Sequence, residues 1–345
     1  MSALPTTDTT IDRIYAAWEK RENRPPRAHL GASYIGRECE RELWLTFRWA
    51  DYPQYEGRLL RLFNSGHLAE PRFVADLEAA GVTVHTIDAE TGKQFLFADH
   101  GGHFGGSMDG AGLGFAEAPK TWHVLEFKTH SEKSFTSLTK LGVKAAKFEH
   151  WAQMQTYMQK FQLDRAFYLA VNKNTDELYA ERIEYDAKAA AALTDKAGRI
   201  IFAAEPPQGI SDSPAHFKCK LCNMAAVCHA SAFPKANCRT CVYATPEPDG
   251  DARWTCSFHK KDLTVDDQRA GCGEHLFIPP ILRQEPTDSA GGWIQYPAFV
   301  NIAATHDELP PGVPTMTSAE LAAVTPDQLP AILAVKQHVG EGATP

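Results

Sequence analysis

The sequence predicts an α/β protein in which helices flank a mixed β-sheet, followed by a small cysteine-rich module stabilised by metal. Up to residue 204, the apolar pattern alternates between helix and strand periodicity in the order α-β-β-β-α-β-β-α, which is typical of a sheet covered by helices. Beyond residue 211 this pattern ends, and seven of the eight cysteines lie there. With 345 residues, 43% of them apolar, the chain can form a real core and two or three domains.

Two helices are predicted before the first strand. Residues 1–25 predict a short helix that is closed by the pair Pro25 and Pro26. Residues 59–80 predict a longer helix with an expected kink at Pro71, because side chains recur at the i, i+4, i+7 spacing of one helix face. The face expected to point inward carries Phe63, His67, Glu70, Val74 and Leu77.

The sheet and the later helices follow in chain order. Strands are expected at residues 82–87, 94–98, 122–128, 166–171 and 178–185, with a glycine-rich hairpin over 103–113. Helices are expected at residues 143–161 and 187–204. After the cysteine-rich stretch, the Pro-rich remainder predicts a single helix, at residues 331–339.

The charge distribution is uneven along the chain. The net charge of −8 does not suggest nucleic acid, for which a basic balance is the usual signature. Residues 281–345 carry seven acids against two bases, whereas residues 128–147 carry five lysines against one glutamate. The basic segment could follow a phosphate backbone, or it could be a solvated helix face. Its candidate DNA-binding residues are Lys133, Lys140, Lys144 and Lys147.

The sequence also indicates a compartment. The N-terminal residues lack the basic and apolar regions of a secretory signal, and no apolar stretch approaches the roughly 20 residues that cross a bilayer. We therefore expect a soluble, cytoplasmic protein without a membrane partner. Disulfides are disfavoured in that compartment, so metal ligation is the leading explanation for eight cysteines.

The sharpest local pattern is Gly106-Ser-Met-Asp109-Gly110, followed by Glu126-Phe127-Lys128. In a strand, residues two apart share a face, so Glu126 and Lys128 lie side by side while Phe127 packs into the other face. A glycine-flanked turn can bring Asp109 against Glu126. Two carboxylates and a backbone carbonyl, that of Phe127, form a typical Mg²⁺ or Mn²⁺ site, and a neighbouring lysine can help to activate water. The alternative is an ordinary Glu–Lys pair on an exposed strand face.

Two further pairs extend this pattern. His67 and Glu70 share a helix face, and so do Gln153 and Tyr157. With these motifs in this order, the sequence resembles the PD-(D/E)XK nuclease superfamily, and within it the RecB-like branch. That branch includes CRISPR-associated RecB-like exonucleases and viral recombination exonucleases of the λ type. The resemblance covers about residues 33–228 and implies a restriction-endonuclease-like mixed sheet flanked by helices.

The resemblance implies DNA hydrolysis from DNA ends, in recombination or repair, by a protein of viral or prophage origin. It implies catalytic roles for Glu70, Asp109, Glu126, Lys128, Gln153 and Tyr157, with His67 or Glu70 as an additional metal ligand. It also implies DNA as a partner, and a single-strand annealing or recombination protein as a second one. A structure-specific or CRISPR-adaptation endonuclease, a non-catalytic DNA-binding protein and an iron–sulfur redox protein are the alternatives. No Walker A motif is present, so no ATP motor is expected.

The first cysteine group is Cys219-x2-Cys222-x5-Cys228, which lacks a fourth ligand nearby. RecB-like relatives that carry an iron–sulfur cluster take this ligand from a segment resembling the one around Cys39. The resemblance therefore implies a [4Fe–4S] cluster at Cys39, Cys219, Cys222 and Cys228, with zinc as the alternative metal. Such a cluster would tie the N-terminal segment to the end of the nuclease domain.

The second group is Cys238, Cys241, Cys256 and Cys272, in a stretch with too little apolar periodicity to fold alone. We expect these residues to bind zinc, with His259 and His275 as rival ligands. The module's basic residues are expected to contact DNA ends or a partner: Arg239, Arg253, Lys260, Lys261 and Arg269.

The predicted organisation has four parts. An N-terminal arm (1–25) precedes a nuclease domain closed by the iron–sulfur cluster (26–230). A predicted zinc module (231–280) and an acidic, Pro-rich C-terminal region (281–345) follow.

Overall fold

A computed structural model describes residues 9–22 and 26–341 and shows a mixed α/β protein. The helices are α1 (Thr10–Glu22), α2 (Glu40–Phe47), α3 (Gly57–Ala79), α4 (Glu132–Ala146), α5 (Phe148–Phe161), α6 (Ala187–Phe202), α7 (Ala225–Cys228), α8 (Val265–Ala270), α9 (Ser318–Ala322) and α10 (Leu329–Glu341). The strands of the first half are β1 (Leu30–Gly31), β2 (Thr83–His85), β3 (Leu96–Asp99), β4 (Phe104–Ser107), β5 (Gly110–Leu113), β6 (His123–His130), β7 (Arg165–Asn172) and β8 (Leu178–Glu184). The remaining strands are β9 (Ala244–Pro246), β10 (Trp254–Cys256), β11 (Lys261–Leu263), β12 (Asp288–Ala290), β13 (Trp293–Gln295), β14 (Val300–Ile302) and β15 (Thr315–Thr317).

The central sheet has the strand order β2-β5-β6-β7-β8. Strands β6 and β7 run parallel, and the other pairs are antiparallel. In the β6–β7 register Glu126 lies opposite Tyr168 and Lys128 opposite Ala170. Because side chains alternate along a strand, β6 presents Glu126 and Lys128 to one face of the sheet and Leu125 and Phe127 to the other.

Each face of this sheet has its own apolar core. On one face, Leu125 and Phe127 pack against α3, where the rings of Phe73 and Phe127 stack with centroids 5.1 Å apart. On the other face, Val124 and Tyr168 belong to a larger core that includes Met154 of α5. The predicted packing of Phe127 away from the carboxylate face is therefore confirmed.

Several predicted elements differ in the structure. The hairpin over residues 103–113 is wrong, because β4 joins β1 and β3 in a separate sheet while β5 joins the central one. The chain passes between the two sheets at Met108 and Asp109. The helix predicted over 143–161 is divided, because Lys147 has non-helical backbone angles (φ −142°, ψ 58°) between α4 and α5. The glycine at 142, with φ of +73°, kinks α4 and allows this change of direction.

The helix over 59–80 is confirmed as α3, but Pro71 lies inside it without dividing it. The predicted inward face is partly wrong, because Phe63 is 46% exposed and the buried residues of α3 are Gly57, Leu60, Phe73 and Leu77. The helix predicted over 1–25 appears as α1, and residues 1–8 and 23–25 of that prediction lie outside the described residues. Within the described ranges, no helix is both long and apolar enough to cross a membrane.

The C-terminal region contains more regular structure than the sequence predicts. Besides α10, which matches the predicted helix, residues 288–317 form a four-stranded sheet in the order β12-β13-β14-β15. Its Tyr296 and Phe299 are fully buried and belong to the larger core, together with Trp254 of β10. The cysteine-rich module and the C-terminal region therefore share one apolar core with the main sheet.

Arg239 joins the cysteine-rich module to α2. Its guanidinium is fully buried, lies 3.7 Å from the centre of the Trp49 ring, and donates to the carbonyl oxygens of Phe47 (3.0 Å) and Ala28 (2.9 Å). Its Nε donates to Gln268 Oε1 at 2.8 Å. The prediction that Arg239 contacts DNA or a partner is wrong, because all of these contacts lie inside the protein.

Candidate active site and cysteine centres

Asp109, Glu126 and Lys128 meet where the chain enters β5 beside the middle of β6. Asp109 Oδ2 accepts a hydrogen bond from the backbone N–H of Phe127 at 2.8 Å, which fixes its carboxylate against β6. Lys128 Nζ pairs with Glu126 Oε1 and also donates to the carbonyl oxygen of Phe127 at 3.2 Å. The structure thus brings together the three residues that the sequence placed at one site.

Glu126 lies in an unusual electrostatic position. Its carboxylate is fully buried, and its Oε2 has no hydrogen-bond partner among residues 9–22 and 26–341. Burial raises the pKa of Glu126, and the nearby charges of Asp109 and Glu70 raise it further, against the opposing effect of Lys128. For Lys128, burial alone would lower the pKa, but the carboxylates of Glu126 and Asp109 raise it, so the ammonium is charged at neutral pH.

This arrangement fits a divalent cation. A buried carboxylate with a free oxygen, close to a second carboxylate, is costly unless a cation or proton neutralises it. Among the described residues, no group of three or more His, Cys, Asp or Glu side chains forms a metal-binding set. The donors at this site are two carboxylates and the Phe127 carbonyl, which is the kind of partial ligand set on which Mg²⁺ keeps several waters.

Gln153 and Tyr157 of α5 support the turn that carries Asp109. Tyr157 donates from its hydroxyl to the carbonyl oxygen of Ser107 at 2.6 Å, and Gln153 Nε2 donates to Tyr157 Oη at 3.1 Å. Gly106 leaves room for this contact, because a Cβ at this position would lie 3.1 Å from the Tyr157 hydroxyl and 3.0 Å from Ala32 Cβ, which is closer than most Cβ contacts. Neither side chain hydrogen-bonds to Lys128, so their contacts position the Asp109 turn rather than the lysine.

His67 and Glu70 lie differently from their predicted places. Their side chains are 76% and 41% exposed, and they bond to each other through His67 Nδ1 and Glu70 Oε1 at 3.1 Å. The expectation that His67 and Glu70 face the core is wrong, because the buried side of α3 is formed by Leu60, Phe73 and Leu77. Glu70 nevertheless lies close enough to raise the pKa of Glu126.

The four candidate DNA-binding lysines fall into two groups. Lys133, Lys140 and Lys144 are exposed along α4, and Lys144 Nζ lies 4.2 Å from the centre of the Trp151 ring. Lys147 is partly buried between α4 and α5, where its Nζ donates to Ser134 Oγ at 2.6 Å.

Each predicted cysteine group lines one cavity. The first cavity, of about 260 Å³, is lined by all four members of the first group: Cys39, Cys219, Cys222 and Cys228. The second cavity, of about 70 Å³, is lined by all four members of the second group: Cys238, Cys241, Cys256 and Cys272. All eight cysteines are free thiols. Within the described residues, neither group has its side chains arranged to bind a metal ion. Ligation would therefore require the thiols to turn towards the centre of each cavity.

His259 and His275, the alternative zinc ligands, both line the second cavity. His275 lines the second cavity, but its Nε2 is bonded to the Asn237 carbonyl at 3.0 Å and to Thr240 Oγ1 at 3.1 Å. His259 also lines the cavity, and its backbone N–H donates to Cys256 Sγ at 3.4 Å. Burial raises the pKa of Cys238 to about 12 and that of Cys241 to about 11, so these thiols are protonated at neutral pH unless a cation stabilises the thiolates.

Three of the five basic residues of the cysteine-rich module form ion pairs with carboxylates. Arg253 pairs with Asp249 and Asp262, Lys261 with Asp267, and Arg269 with Asp266. Since Arg239 is buried, Lys260 is the one of the five predicted contact residues that is neither buried nor paired with a carboxylate within the described ranges.

A buried polar chain, which was not predicted from the sequence, lies beside the carboxylates. His130 Nε2 lies 2.8 Å from the Tyr168 hydroxyl, and His150 Nδ1 lies 3.0 Å from the same oxygen. His130 Nδ1 lies 3.0 Å from Ser134 Oγ. Two signals in the sequence were available: His130 follows Lys128 on one strand face, and His150 precedes Gln153 by three residues on one helix face. The link through Tyr168 depends on the β6–β7 register, which the sequence does not show.

Comparison with known proteins yields matches to solved structures alone. No family model matches the sequence, and no curated protein matches it. LHK-Exo in complex with dAMP is 17% identical with a TM-score of 0.36, over 55% of this chain and 90% of that chain. An alkaline exonuclease (LHK-Exo) from Laribacter hongkongensis is 16% identical with a TM-score of 0.36, over the same shares of 55% and 90%. The protein SSO0001 is 12% identical with a TM-score of 0.40, over 64% of this chain and 96% of that chain. Because these TM-scores are below 0.5, we base the functional proposal on the chain's own site geometry.

Proposed function

We propose that this chain is a metal-dependent deoxyribonuclease of the PD-(D/E)XK type, in its RecB-like branch. The observation that carries the proposal is the Glu126 carboxylate, fully buried with a free oxygen, beside Asp109 and paired with Lys128. An ordinary surface Glu–Lys pair would leave both groups in water, where their interaction is weak. A buried acid with an open oxygen and a raised pKa is typical of a functional site.

Each residue of the site has a distinct proposed role. Asp109, Glu126 and the Phe127 carbonyl would hold a Mg²⁺ or Mn²⁺ ion, and Glu70 lies close enough to contribute to the negative field. The ion, when bound, lowers the pKa of a water and offsets charge on the scissile phosphate. Lys128 is charged and held against Glu126, so it can orient the attacking water or stabilise the charge that develops on the phosphate. Tyr157 and Gln153 keep the Asp109 turn in position.

We assign the substrate as DNA that is degraded from its ends, as in recombination or repair. The support is the order of the motifs in the sequence, together with the exposed lysines of α4 beside the site. Nuclease activity would lie within residues 26–230, and an annealing or recombination protein would be its functional partner.

The two cysteine cavities support different metals. A volume of about 260 Å³ leaves room for a polynuclear cluster, so we assign a [4Fe–4S] cluster to Cys39, Cys219, Cys222 and Cys228. A volume of about 70 Å³ suits a single ion, so we assign one Zn²⁺ to Cys238, Cys241, Cys256 and Cys272 in the module of residues 231–280. The acids that pair with the module's basic residues point to a role in stabilising the fold rather than in binding DNA.

The experiment that tests the proposal compares linear and circular DNA. The protein is incubated with 5′-labelled linear duplex, 3′-labelled linear duplex and covalently closed circular DNA, each with Mg²⁺, with Mn²⁺ and with EDTA. Loss of label from linear DNA in the presence of metal, with the circle intact, is the expected result. Cleavage of the circle would show an endonuclease, and no cleavage of any DNA would overturn the proposal.

A further inference from the structure

A basic groove lies next to the candidate active site, at the junction of α4 and α5. It has a volume of about 750 Å³, and its charged walls are formed by Arg37, Glu38, Lys147, Glu149, Lys196 and Lys218. Four cations face two carboxylates, so the groove is positively charged. His150, which precedes Gln153 on the same face of α5, also lines it.

The cations of this groove are not equally available. Arg37 pairs with Glu42 and Glu149, and Lys218 pairs with Glu38. Within the described part of the chain, Lys147 and Lys196 have no carboxylate partner. Lys196 donates to the carbonyl oxygens of Ile35 and Arg37, whereas Lys147 makes a single hydrogen bond, to Ser134, and keeps two N–H groups.

A hydrogen-bonded chain connects Lys147 to His150 through the interior. It runs from Lys147 Nζ to Ser134 Oγ, on to the His130 ring, then to the Tyr168 hydroxyl and finally to His150 Nδ1. Burial and the charges of nearby lysines lower the pKa of both histidines, that of His130 to about 4, so both rings are neutral at pH 7. Each neutral ring therefore has one N–H donor and one acceptor nitrogen.

In this hydrogen-bonded chain, every internal donor finds an acceptor only when the hydrogen bonds run from Lys147 towards His150. Lys147 can only donate, so Ser134 Oγ accepts a hydrogen bond from it. The Ser134 hydroxyl in turn donates a hydrogen bond to His130 Nδ1. His130 Nε2–H then donates to Tyr168, and the Tyr168 hydroxyl donates to His150 Nδ1. In the opposite direction the Ser134 proton would have no acceptor in the described protein, and the O–H and N–H dipoles would oppose the charge of Lys147. The favoured direction leaves His150 with its proton on Nε2, which makes no hydrogen bond within the described protein.

We propose that Lys147 and His150 form a phosphate-binding edge for the DNA backbone, in which the buried chain fixes His150 as a neutral Nε2–H donor. Two donors that lie on one groove, one charged and one neutral, are suited to the oxygens of a phosphodiester. Lys128 lies close enough to His150 for its charge to lower the pKa of His150, which places the His150 end of the groove near the candidate active site. This inference rests on the proposed nuclease function and adds to it the path of the strand.

The test exploits the difference between a charged and a neutral contact. Dissociation constants of a labelled duplex are measured by fluorescence anisotropy over a series of salt concentrations, with Ca²⁺ in place of Mg²⁺ to suppress cleavage. Loss of either donor is expected to weaken binding about tenfold. Lys147→Ala should also reduce the slope of log Kd against log salt by about 0.9, because one fewer counterion is released, whereas His150→Ala should leave the slope unchanged.

Two further variants complete the design. Lys120→Ala is the matched control, because Lys120 is exposed and precedes β6 at the end opposite to His130; it should bind like the wild type. Ser134→Ala keeps both donors but removes the first link, and NMR of ¹⁵N-labelled histidine should then show His150 losing its pure Nε2–H tautomer. This variant also serves if His150→Ala fails to fold.

The outcomes separate this inference from the proposed function. If the wild type neither binds nor cleaves DNA, the nuclease proposal fails and the inference fails with it. If the wild type binds and cleaves, wild-type affinity in Lys147→Ala and His150→Ala overturns the inference alone. A reduced salt slope in His150→Ala, or an Nδ1–H tautomer in the wild type, overturns the neutral-donor assignment.

Discussion

Glu126 and Arg239 are both fully buried charged residues, and their surroundings are opposite. Arg239 has a partner for each side of its guanidinium: two backbone carbonyls, the Gln268 side chain and the ring of Trp49. Glu126 has an oxygen without a hydrogen-bond partner in the described part of the chain, and its carboxylate neighbours raise its pKa. A buried charge with complete contacts stabilises the fold, whereas one with an open atom indicates a ligand.

The largest expected effect is on catalysis at the site that contains Glu126. Asp109→Ala and Lys128→Ala should each reduce the rate of DNA cleavage by at least about a thousandfold, because they remove a metal ligand and a charge-stabilising group. Asp109→Ala should melt near the wild-type temperature, since its side chain is only partly buried. Lys128→Ala should melt at a lower temperature, because it leaves the buried Glu126 carboxylate without its ion-pair partner. Single-turnover cleavage of a labelled duplex measures the rates, with Lys120→Ala as the control for lysine removal. Wild-type cleavage by Lys128→Ala would contradict its assigned role.

A large effect on stability is expected when Arg239, whose guanidinium is buried and hydrogen-bonded through each of its nitrogens, is replaced. Arg239→Met keeps the apolar volume but leaves the carbonyls of Phe47 and Ala28 without donors, so it should lower the free energy of unfolding by roughly 3–5 kcal/mol. Arg253→Met, at an exposed pair with Asp249, should change it by less than about 0.5 kcal/mol. Urea unfolding followed by circular dichroism measures both. Equal stabilities for the two variants would remove the contrast between Arg239 and a surface arginine.

The two cysteine cavities are expected to hold their metals independently of each other. Cys39→Ser should remove iron and leave zinc, and Cys241→Ser should remove one zinc per chain and leave iron, because each residue lines a different cavity. Elemental analysis of anaerobically purified protein measures both metals. Loss of iron in Cys241→Ser would show that the two groups are not separate centres. A colourless wild type with two zinc ions would show that the first cavity does not hold a cluster.

Much of the site could be predicted from the sequence, because its signals are local. The spacing of Glu126 and Lys128 determines a shared strand face. The grouping of Cys39 with Cys219, Cys222 and Cys228 came from the family resemblance, because Cys39 is remote from them in the sequence. Features that depend on contacts between distant segments could not be predicted in this way. The burial of Arg239 depends on α2 and α8 meeting around it, and the place of Tyr168 depends on the β6–β7 register. The short strands β12–β15 have three residues each, which is too short for a periodic signal.

A smaller effect is expected from pH. The folded protein binds a proton on Glu126 more tightly than the unfolded chain does, since burial raises its pKa from 4.5 to about 7. In metal-free protein, this group should therefore reduce stability as the pH rises through that window, by about 1–3 kcal/mol. The difference in urea unfolding between wild type and Glu126→Gln at pH 5 and pH 7.5, both in EDTA, isolates the contribution of Glu126. An identical pH dependence for the two proteins would contradict the raised pKa.

The most direct test of the central claim combines cleavage and stability in one variant, Glu126→Gln. This change removes the buried charge but keeps the size and one acceptor oxygen of the side chain. We predict that the wild type cleaves end-labelled linear duplex in Mg²⁺ or Mn²⁺ and not in EDTA. Glu126→Gln should cleave in none of these conditions, yet melt in EDTA at the wild-type temperature or above it. Cleavage by Glu126→Gln at the wild-type rate, or equal cleavage by the wild type in EDTA, would contradict the assignment of Glu126 as a metal-binding catalytic residue.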